Sequence, residues 1–130
     1  MSIYNGNAND EKVNQYLATI RQAEQGKGAR SAMANAVQRC YELAKIRVGT
    51  VPVSQSTITE HTDRIRNAYF GEEVRDALKT GLYLCYTTRG ISHSTSADLA
   101  FSKLTDAQTG EDLKNGILMS ICKCCLEVNK

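Results

Sequence analysis

Two pairs of arginines are the side chains of this sequence best suited to bind an anion. The pairs are Arg21 with Arg30 and Arg66 with Arg75, and the members of each pair are nine positions apart on either side of a glycine. A planar guanidinium forms two parallel hydrogen bonds to a carboxylate or phosphate and keeps its charge at physiological pH. The sequence therefore predicts candidate ligand-binding positions at all four arginines.

The segment GKGARS, residues 26–31, adds Lys27 to the first pair and contains no acidic residue. If a helix begins here, its first backbone N–H groups would also face an anion. The corresponding segment after Gly71 begins with Glu72 and Glu73, which would repel one. GKGARS lacks the G-x-x-x-x-G-K-[ST] spacing of a P-loop, so the prediction is a simple anion site.

The same arginines have a structural interpretation. Arg66 and Arg75 lie close in sequence to Glu72, Glu73 and Asp76 and could form ion pairs with them. Exposed pairs of this kind contribute only about 0–1 kcal/mol each. We favour the structural interpretation for Arg66 and Arg75, and both interpretations stay open for Arg21 and Arg30.

Aromatic and histidine side chains are weaker candidates for functional residues than the arginines. Tyr69 and Phe70 precede the second glycine, where they could form a partner interface or a base-stacking platform. We favour the alternative that they pack between neighbouring helices. His61 and His93 have no carboxylate or nucleophile that the sequence connects to them. We therefore predict no catalytic residue, no cofactor and no enzymatic activity.

All of these arginines belong to a 22-residue pattern that occurs three times. Copy one is residues 20–41, copy two is residues 65–86 and copy three is residues 104–125. The first two copies share eight identities, whereas unrelated strings of this length would share roughly one or two. The copies begin 45 and then 39 residues apart, the length of a helical hairpin in α-repeat proteins.

The repeat predicts a long helix after each glycine and a shorter helix before it. Apolar or small residues recur after the glycine at the spacing i, i+4, i+7, i+8 and i+11, which forms one stripe of a helix. The stripe positions are Ala29, Met33, Ala36, Val37 and Cys40 in copy one; Val74, Leu78, Gly81, Leu82 and Cys85 in copy two; and Leu113, Ile117, Ser120, Ile121 and Cys124 in copy three. The small residues among them predict close approach of helices.

The shorter helices are predicted at about residues 10–25, 57–70 and 96–109. Asp10 is a typical N-cap, and Thr57 with Glu60 three residues later has the spacing of a capping box. The glycines that follow, Gly26, Gly71 and Gly110, are predicted to adopt the left-handed conformation that ends a helix. Proline and turn-forming residues between the hairpins argue against strands.

We therefore predict an all-α fold of six helices in three hairpins. It forms a single domain over residues 1–130, with hairpins at about 10–46, 57–88 and 95–129. The hairpins could close into a compact bundle or stack as a short solenoid.

Five cysteines could suggest disulfides or a metal site. Cys40, Cys85 and Cys124 occupy the same repeat position, which favours packing, because reduced cysteine behaves as a small buried hydrophobe. The odd count and the lack of a signal peptide argue against a disulfide framework. The CKCC run at residues 122–125 has no second ligand pair of zinc-site spacing, so we predict no metal.

The overall composition excludes two classes of partner. A net charge of +2 is too small for a general nucleic-acid binder, and no apolar run is long enough to span a membrane. We expect a cytoplasmic protein.

Copy two, IRNAYFGEEVRDALKTGLYLCY, resembles a segment common near the start of tail and baseplate proteins from phages and prophages of Gram-positive bacteria. That segment reads I-R-x-A-x-x-G-x-x-V-R-x-A-[IL]-x-x-[GA]-[IL]. Copy one departs from it at Ala29 and Met33, and copy three has Thr105 and Lys114 at the arginine positions. The resemblance implies a phage or prophage origin. In tail proteins the segment introduces a larger structure, whereas here three copies make up a small protein.

The resemblance implies a tail or baseplate adaptor that acts through protein–protein assembly. The alternative, based on the small size and the Arg21, Lys27 and Arg30 cluster, is an anti-defence inhibitor. It would sequester an anionic ligand such as a nucleotide signal, or block a host defence protein. We expect a homo-oligomer with a phage or host protein as partner, located in the host cytoplasm or in the virion.

Overall fold

The computed structural model describes residues 3–22, 26–49, 53–68, 72–90, 96–107 and 110–130. These residues form six α-helices and no strand, so the predicted all-α class is confirmed. The helices are α1 (Glu11–Gln22), α2 (Lys27–Val48), α3 (Gln55–Asn67), α4 (Glu72–Thr88), α5 (Ser96–Asp106) and α6 (Gly110–Val128).

The three long helices, α2, α4 and α6, form the centre of the molecule, and each contacts the other two. Each short helix lies against two long ones: α1 against α2 and α6, α3 against α2 and α4, and α5 against α4 and α6. The first and last hairpins therefore touch. Of the two arrangements that the sequence left open, the protein adopts the closed bundle.

The predicted stripe faces this centre. Every stripe residue is buried except Leu113, which is half-buried against the core. The short helices bury equivalent positions too, at the same offsets of 45 and 39 residues that relate the copies. These are Val13, Leu17 and Ile20 in α1; Ile58, Thr62 and Ile65 in α3; and Ala97, Phe101 and Leu104 in α5. Apolar burial at helical spacing thus explains why all six helices form.

Small residues allow close contacts, as predicted. The Tyr41 hydroxyl donates a 2.9 Å hydrogen bond to the Gly81 carbonyl, and Ser120 Oγ donates one of 3.1 Å to the Ala100 carbonyl. A Cβ atom at Gly116 would lie 3.1 Å from the Leu104 Cα, so α5 and α6 touch almost backbone to backbone. The sequence did not single out Gly116.

The helix ends correct two predictions. Asp10 caps α1, since its Oδ2 accepts a 3.1 Å hydrogen bond from the Val13 N–H, as expected. However, Ser54 caps α3, with its Oγ 3.2 Å from the Thr57 N–H, and Thr57 lies in the first turn. The capping box at Thr57 was wrong because the helix begins earlier, at Gln55, where Ser54 supplies the capping hydroxyl. The C-terminal end of α3 is also earlier than predicted, since Ala68 is extended.

The glycines that were predicted to be left-handed differ in their backbone conformation. Gly26 has φ 119° and ψ −155°, which is not the left-handed helical region, and it is the N-cap of α2. Its prediction was therefore wrong, although its positive φ still favours glycine. Gly110 has φ 62°, as expected for such a position. Gly71 lies outside the described residues.

Candidate functional site

The cations at position eleven of the repeat connect neighbouring hairpins. Lys114 Nζ donates a 3.2 Å hydrogen bond to the Arg21 carbonyl near the end of α1. Arg75 Nη1 donates one of 3.1 Å to the Thr105 carbonyl near the end of α5. Both acceptors occupy position two of the next copy around the bundle. A cation at a helix C-terminus satisfies a free carbonyl and the negative end of the helix dipole, so these two side chains have structural roles.

Arg30 is the equivalent residue of copy one, and by this pattern its acceptor would be the Arg66 carbonyl. Instead, the Arg30 Nε atom is buried and has no hydrogen-bond partner in the part of the chain that the structure describes. It lies in the first turns of α2, which has no acidic residue in its first turn and no side-chain cap. Lys27 is exposed one turn earlier. Arg30 therefore remains a candidate anion ligand, on the basis of its charge and the acid-free start of α2.

Arg21 is used elsewhere. Its Nε and Nη2 atoms donate hydrogen bonds of 3.0 and 3.1 Å to the carbonyls of Tyr4 and Gly6. These carbonyls belong to an N-terminal segment without helix or strand, residues 3–10, that we call the strap. The structure thus does not direct Arg21 and Arg30 at a common ligand.

Arg66 has two partners within the bundle. Its Nη1 lies 3.1 Å from Asp63 Oδ1 in the same helix, and its Nη2 donates a 3.1 Å hydrogen bond to Asn35 Oδ1 on α2. The acidic partner is therefore Asp63, rather than the residues after the glycine considered from the sequence. Tyr69 and Phe70, the predicted aromatic candidates, lie outside the described residues.

The strap is the main feature that sequence reasoning missed. It lies in the groove between α1 and α6, with Ala8 fully buried and Ile3 and Tyr4 packed against the core. The Tyr4 N–H donates a 2.6 Å hydrogen bond to Asn115 Oδ1, and the Tyr4 hydroxyl lies 3.7 Å from Cys122 Sγ. Burial and the contact with Cys122 raise the pKa of Tyr4 to about 12. The only sequence signal for this contact was the apolar Ile3–Tyr4 pair.

The strap ends in an ion pair. Asp10 receives two hydrogen bonds from Arg39 on α2, of 3.0 Å from Nε and 2.9 Å from Nη2. These hydrogen bonds lower the pKa of Asp10. Because Asp10 also caps α1, one carboxylate fixes both the end of the strap and the start of the first helix.

The cysteine sulfurs meet in the core. Cys85 Sγ lies 3.5 Å from Cys40 Sγ, which lies 3.7 Å from Cys124 Sγ, and all five cysteines are free and buried. Hydrogen bonding by neighbouring thiols and burial raise the pKa of Cys40. For Cys124, the hydrogen bond with Cys40 lowers the pKa, but burial and the neighbouring Cys85, Cys125 and Glu127 together outweigh it, and the pKa rises to about 11. These two thiols are therefore protonated at neutral pH and have little nucleophilic character.

Neither metal binding nor membrane insertion finds support in the described ranges. They contain no group of three or more histidine, cysteine or acidic side chains placed to hold a metal ion. No helix in these ranges combines the length and apolar character needed to cross a bilayer.

A cavity of about 290 Å³ opens between α2 and the start of α3, and we call it the α2–α3 groove. Its floor is apolar or aromatic, formed by Tyr41, Val53 and Ile58. Its rim is polar, formed by Gln38, Glu42, Lys45 and Gln55. Close to this groove in sequence, near the end of α2, Ile46 and Val48 are 66% and 47% exposed.

A second cavity, of about 410 Å³, lies between α3 and α4. Its lining is mostly polar and acidic: Glu60, Asp63, Arg64, Asn67, Glu73 and Ala77. Its only apolar side chain is Ala77, whereas the α2–α3 groove has three apolar or aromatic side chains, so the α2–α3 groove is the better candidate binding surface.

No family model, curated protein or solved structure matches this chain. The likeness of copy two to phage tail segments therefore stays a prediction. The functional proposals below are based on that likeness and on the side-chain geometry of the chain itself.

Proposed function

We propose that this protein is a small, non-enzymatic helical binding protein of phage or prophage origin that acts through protein–protein assembly, as an adaptor of the tail or baseplate type. The observation that carries the proposal is the α2–α3 groove, with its apolar floor, polar rim and neighbouring exposed Ile46 and Val48. An apolar centre surrounded by polar side chains is the usual anatomy of a protein interface.

The roles of the other chemically capable residues support binding over catalysis. The thiols of Cys40 and Cys124 are buried and protonated, and the guanidinium groups of Arg21 and Arg66 hold parts of the fold together. A rigid bundle with its reactive groups used internally is well suited to present a surface to a partner.

A pull-down with the full chain tests this function. From lysate of cells producing the phage particle, we expect the wild-type chain to capture a tail or baseplate protein. The double variant Ile46→Glu/Val48→Glu should lose that capture while keeping its helical content, since both side chains are exposed. Lys12→Glu, on exposed α1 surface, is the matched control and should capture normally. Capture of no tail or baseplate protein by the wild-type chain would refute the proposal.

We also propose that copies of this chain associate with one another. Leu99 on α5 is 69% exposed and Tyr83 on α4 is 41% exposed, which supports contact between copies of the chain. Sedimentation velocity should show a species larger than 14.3 kDa, and Leu99→Glu should reduce it to the monomer. The assembly would work in the host cytoplasm or within the virion.

One observation favours a second function, sequestration of an anionic ligand such as a nucleotide signal or the blocking of a host defence protein. Arg30 has a buried Nε atom without a partner in the described structure, at a helix start free of acidic residues. A nucleotide at a hundredfold excess over its Kd should stabilise the fold by about 2.7 kcal/mol. Thermal unfolding with a panel of nucleotides measures this, and Arg30→Gln should remove the shift. An unchanged melting temperature with every nucleotide would exclude nucleotide sequestration.

A further inference from the structure

We propose that the α2–α3 groove binds an extended segment of the partner protein, with an aromatic side chain placed over Gln38. Within this chain, the strap occupies the α1–α6 groove in the same way. We use its contacts as the guide to how the partner segment would bind. The inference deepens the proposed assembly function and rests on it.

The strap shows how such a groove holds an extended chain. Arg21 donates to two strap carbonyls, those of Tyr4 and Gly6, while the Asn115 side chain accepts from the Tyr4 N–H. The Tyr4 ring then reaches along α6 until its hydroxyl lies 3.7 Å from Cys122 Sγ. The strap is thus held by two elements: an arginine that donates to its carbonyls and a groove that holds its aromatic ring.

The α2–α3 groove is its equivalent in the repeat. At the offset of 45 residues Arg21 corresponds to Arg66, and the shared repeat positions relate Asn115 to Ser31 and Cys122 to Gln38. The helix faces correspond as well, because Val13, Leu17 and Ile20 are buried like Ile58, Thr62 and Ile65. The equivalent positions here therefore keep the arginine and replace the asparagine and the cysteine by Ser31 and Gln38.

Here, however, the groove is open at the ring position. Gln38, the equivalent of the residue beneath the Tyr4 hydroxyl, lines the 290 Å³ cavity. The chain passes from the end of α2 at Val48 to the start of α3 at Gln55 through a short linker, whereas the strap extends from Asn115, near the start of α6, to the start of α1.

The third groove, between α4 and α5, lacks the arginine. Position two of copy three is Thr105, whose hydroxyl receives a 2.6 Å hydrogen bond from Lys79 Nζ. The short helix α5 thus carries no arginine at the position of Arg21, so the inference applies to the α2–α3 groove alone.

The chemistry of the partner follows from the lining. Its aromatic ring would lie on the floor of Tyr41 and Ile58, where burial of a ring is favourable. Its carbonyls would accept from Arg66, whose side chain is 33% exposed. Arg66 would exchange its present partners, Asp63 and Asn35, for them. Because the backbone supplies most of the polar contacts, the segment needs an extended conformation and one aromatic residue.

A peptide titration tests this. The probe is a synthetic peptide of the strap sequence, IYNGNAND, added to the isotope-labelled full chain and followed by NMR. We expect saturable shifts of the backbone amides around Gln38 and Ile58, and at least tenfold weaker binding for the peptide with alanine at the tyrosine position. Gln38→Trp, which fills the cavity, and Arg66→Gln, which removes the guanidinium, should each weaken binding at least tenfold.

Two results would overturn the inference. One is the absence of shifts at about 1 mM peptide, a concentration that detects even weak binding. The other is binding unaffected by Gln38→Trp and Arg66→Gln, with shifts at Asn115 and Cys122, which would mean that the peptide displaces the strap from its own groove.

Pull-downs separate this inference from the general function. A tail or baseplate protein captured equally by wild type and Gln38→Trp would leave the adaptor function standing and exclude this groove as the docking site. Capture of no such protein by the wild type would refute the adaptor function itself, whatever the peptide does.

Discussion

The sulfur atoms of Cys40 and Cys85 lie 3.5 Å apart, although 45 positions separate these residues in the chain. Cys124, the third residue of the same repeat position, lies 3.7 Å from Cys40. Equivalent positions of α2, α4 and α6 therefore meet at one point of the core. The thiols act there as small apolar groups, and their environment makes the stability of the fold sensitive to alkaline pH.

We predict a loss of stability between about pH 9 and pH 11. The pKa of Cys124 is about 11 in the folded protein against an ordinary thiol pKa of 9.0, so between these values the folded state holds a proton that the unfolded state releases. The stabilisation is complete below pH 9 and is lost as pH rises through 11, with up to about 3 kcal/mol at stake. Urea unfolding at a series of pH values measures it. Cys124→Ala should flatten the profile, and an equally steep profile in that variant would contradict the assignment.

Asp10 should govern stability at acid pH. Hydrogen bonding by Arg39 lowers its pKa, so its contribution is present above the unfolded value of about 3.9 and disappears as pH falls through the folded value. Asp10→Asn keeps a capping side chain but removes the charge, and we expect a cost of about 1 kcal/mol at pH 7. The difference from wild type should vanish at the acid end of an unfolding series. Glu11→Gln, at an exposed neighbour, is the control and should change little.

Gly116 should not tolerate a side chain. A Cβ atom there would lie 3.1 Å from the backbone of Leu104, and we expect Gly116→Ala to cost about 1–3 kcal/mol. Gly28 is the matched control, because it lies in a helix with nothing within 4 Å of an added Cβ. Gly28→Ala should stabilise the protein by about 0.4–1 kcal/mol. Equal effects of the two substitutions in urea unfolding would show that α5 and α6 are not in close contact.

Lys114 and Arg30, the cations at position eleven of copies three and one, should contribute differently to the stability of the fold. Lys114→Met removes the hydrogen bond to the Arg21 carbonyl but keeps an unbranched stem, and it should cost about 1 kcal/mol. Arg30→Met should stay within about 0.5 kcal/mol of wild type, because the Arg30 Nε makes no hydrogen bond in the described structure. Thermal unfolding compares the two. A larger cost at Arg30 would mean that its guanidinium supports the fold, which would weaken the case for a ligand there.

Helical periodicity made much of this fold predictable. The stripe through Val74, Leu78 and Cys85 is buried as its spacing indicated, because a closed core selects one face of each helix. Helix ends were less predictable, since Ser54 and Thr57 both offer a capping hydroxyl and local sequence does not choose between them. Bundle closure was not predictable either, as open and closed stacks bury the same stripe.

The candidate site was harder to predict for a different reason. Arg21 and Arg30 looked alike in sequence, yet one holds the strap and the Nε of the other has no described partner. That difference depends on Tyr4 and Gly6, which are distant in sequence and outside the repeat. Repeats reveal shared roles, but contacts made by a segment outside them appear only in three dimensions.

Contact between α1 and α6 also limits how this protein could change in size. An array of stacked hairpins gains or loses units at its ends, because each end leaves a face available to the next unit. In this bundle the first and last hairpins already contact each other, and each of the three long helices contacts the other two. Insertion of a duplicated hairpin would require breaking the contact between α1 and α6. The number of copies is therefore set by geometry and should stay at three.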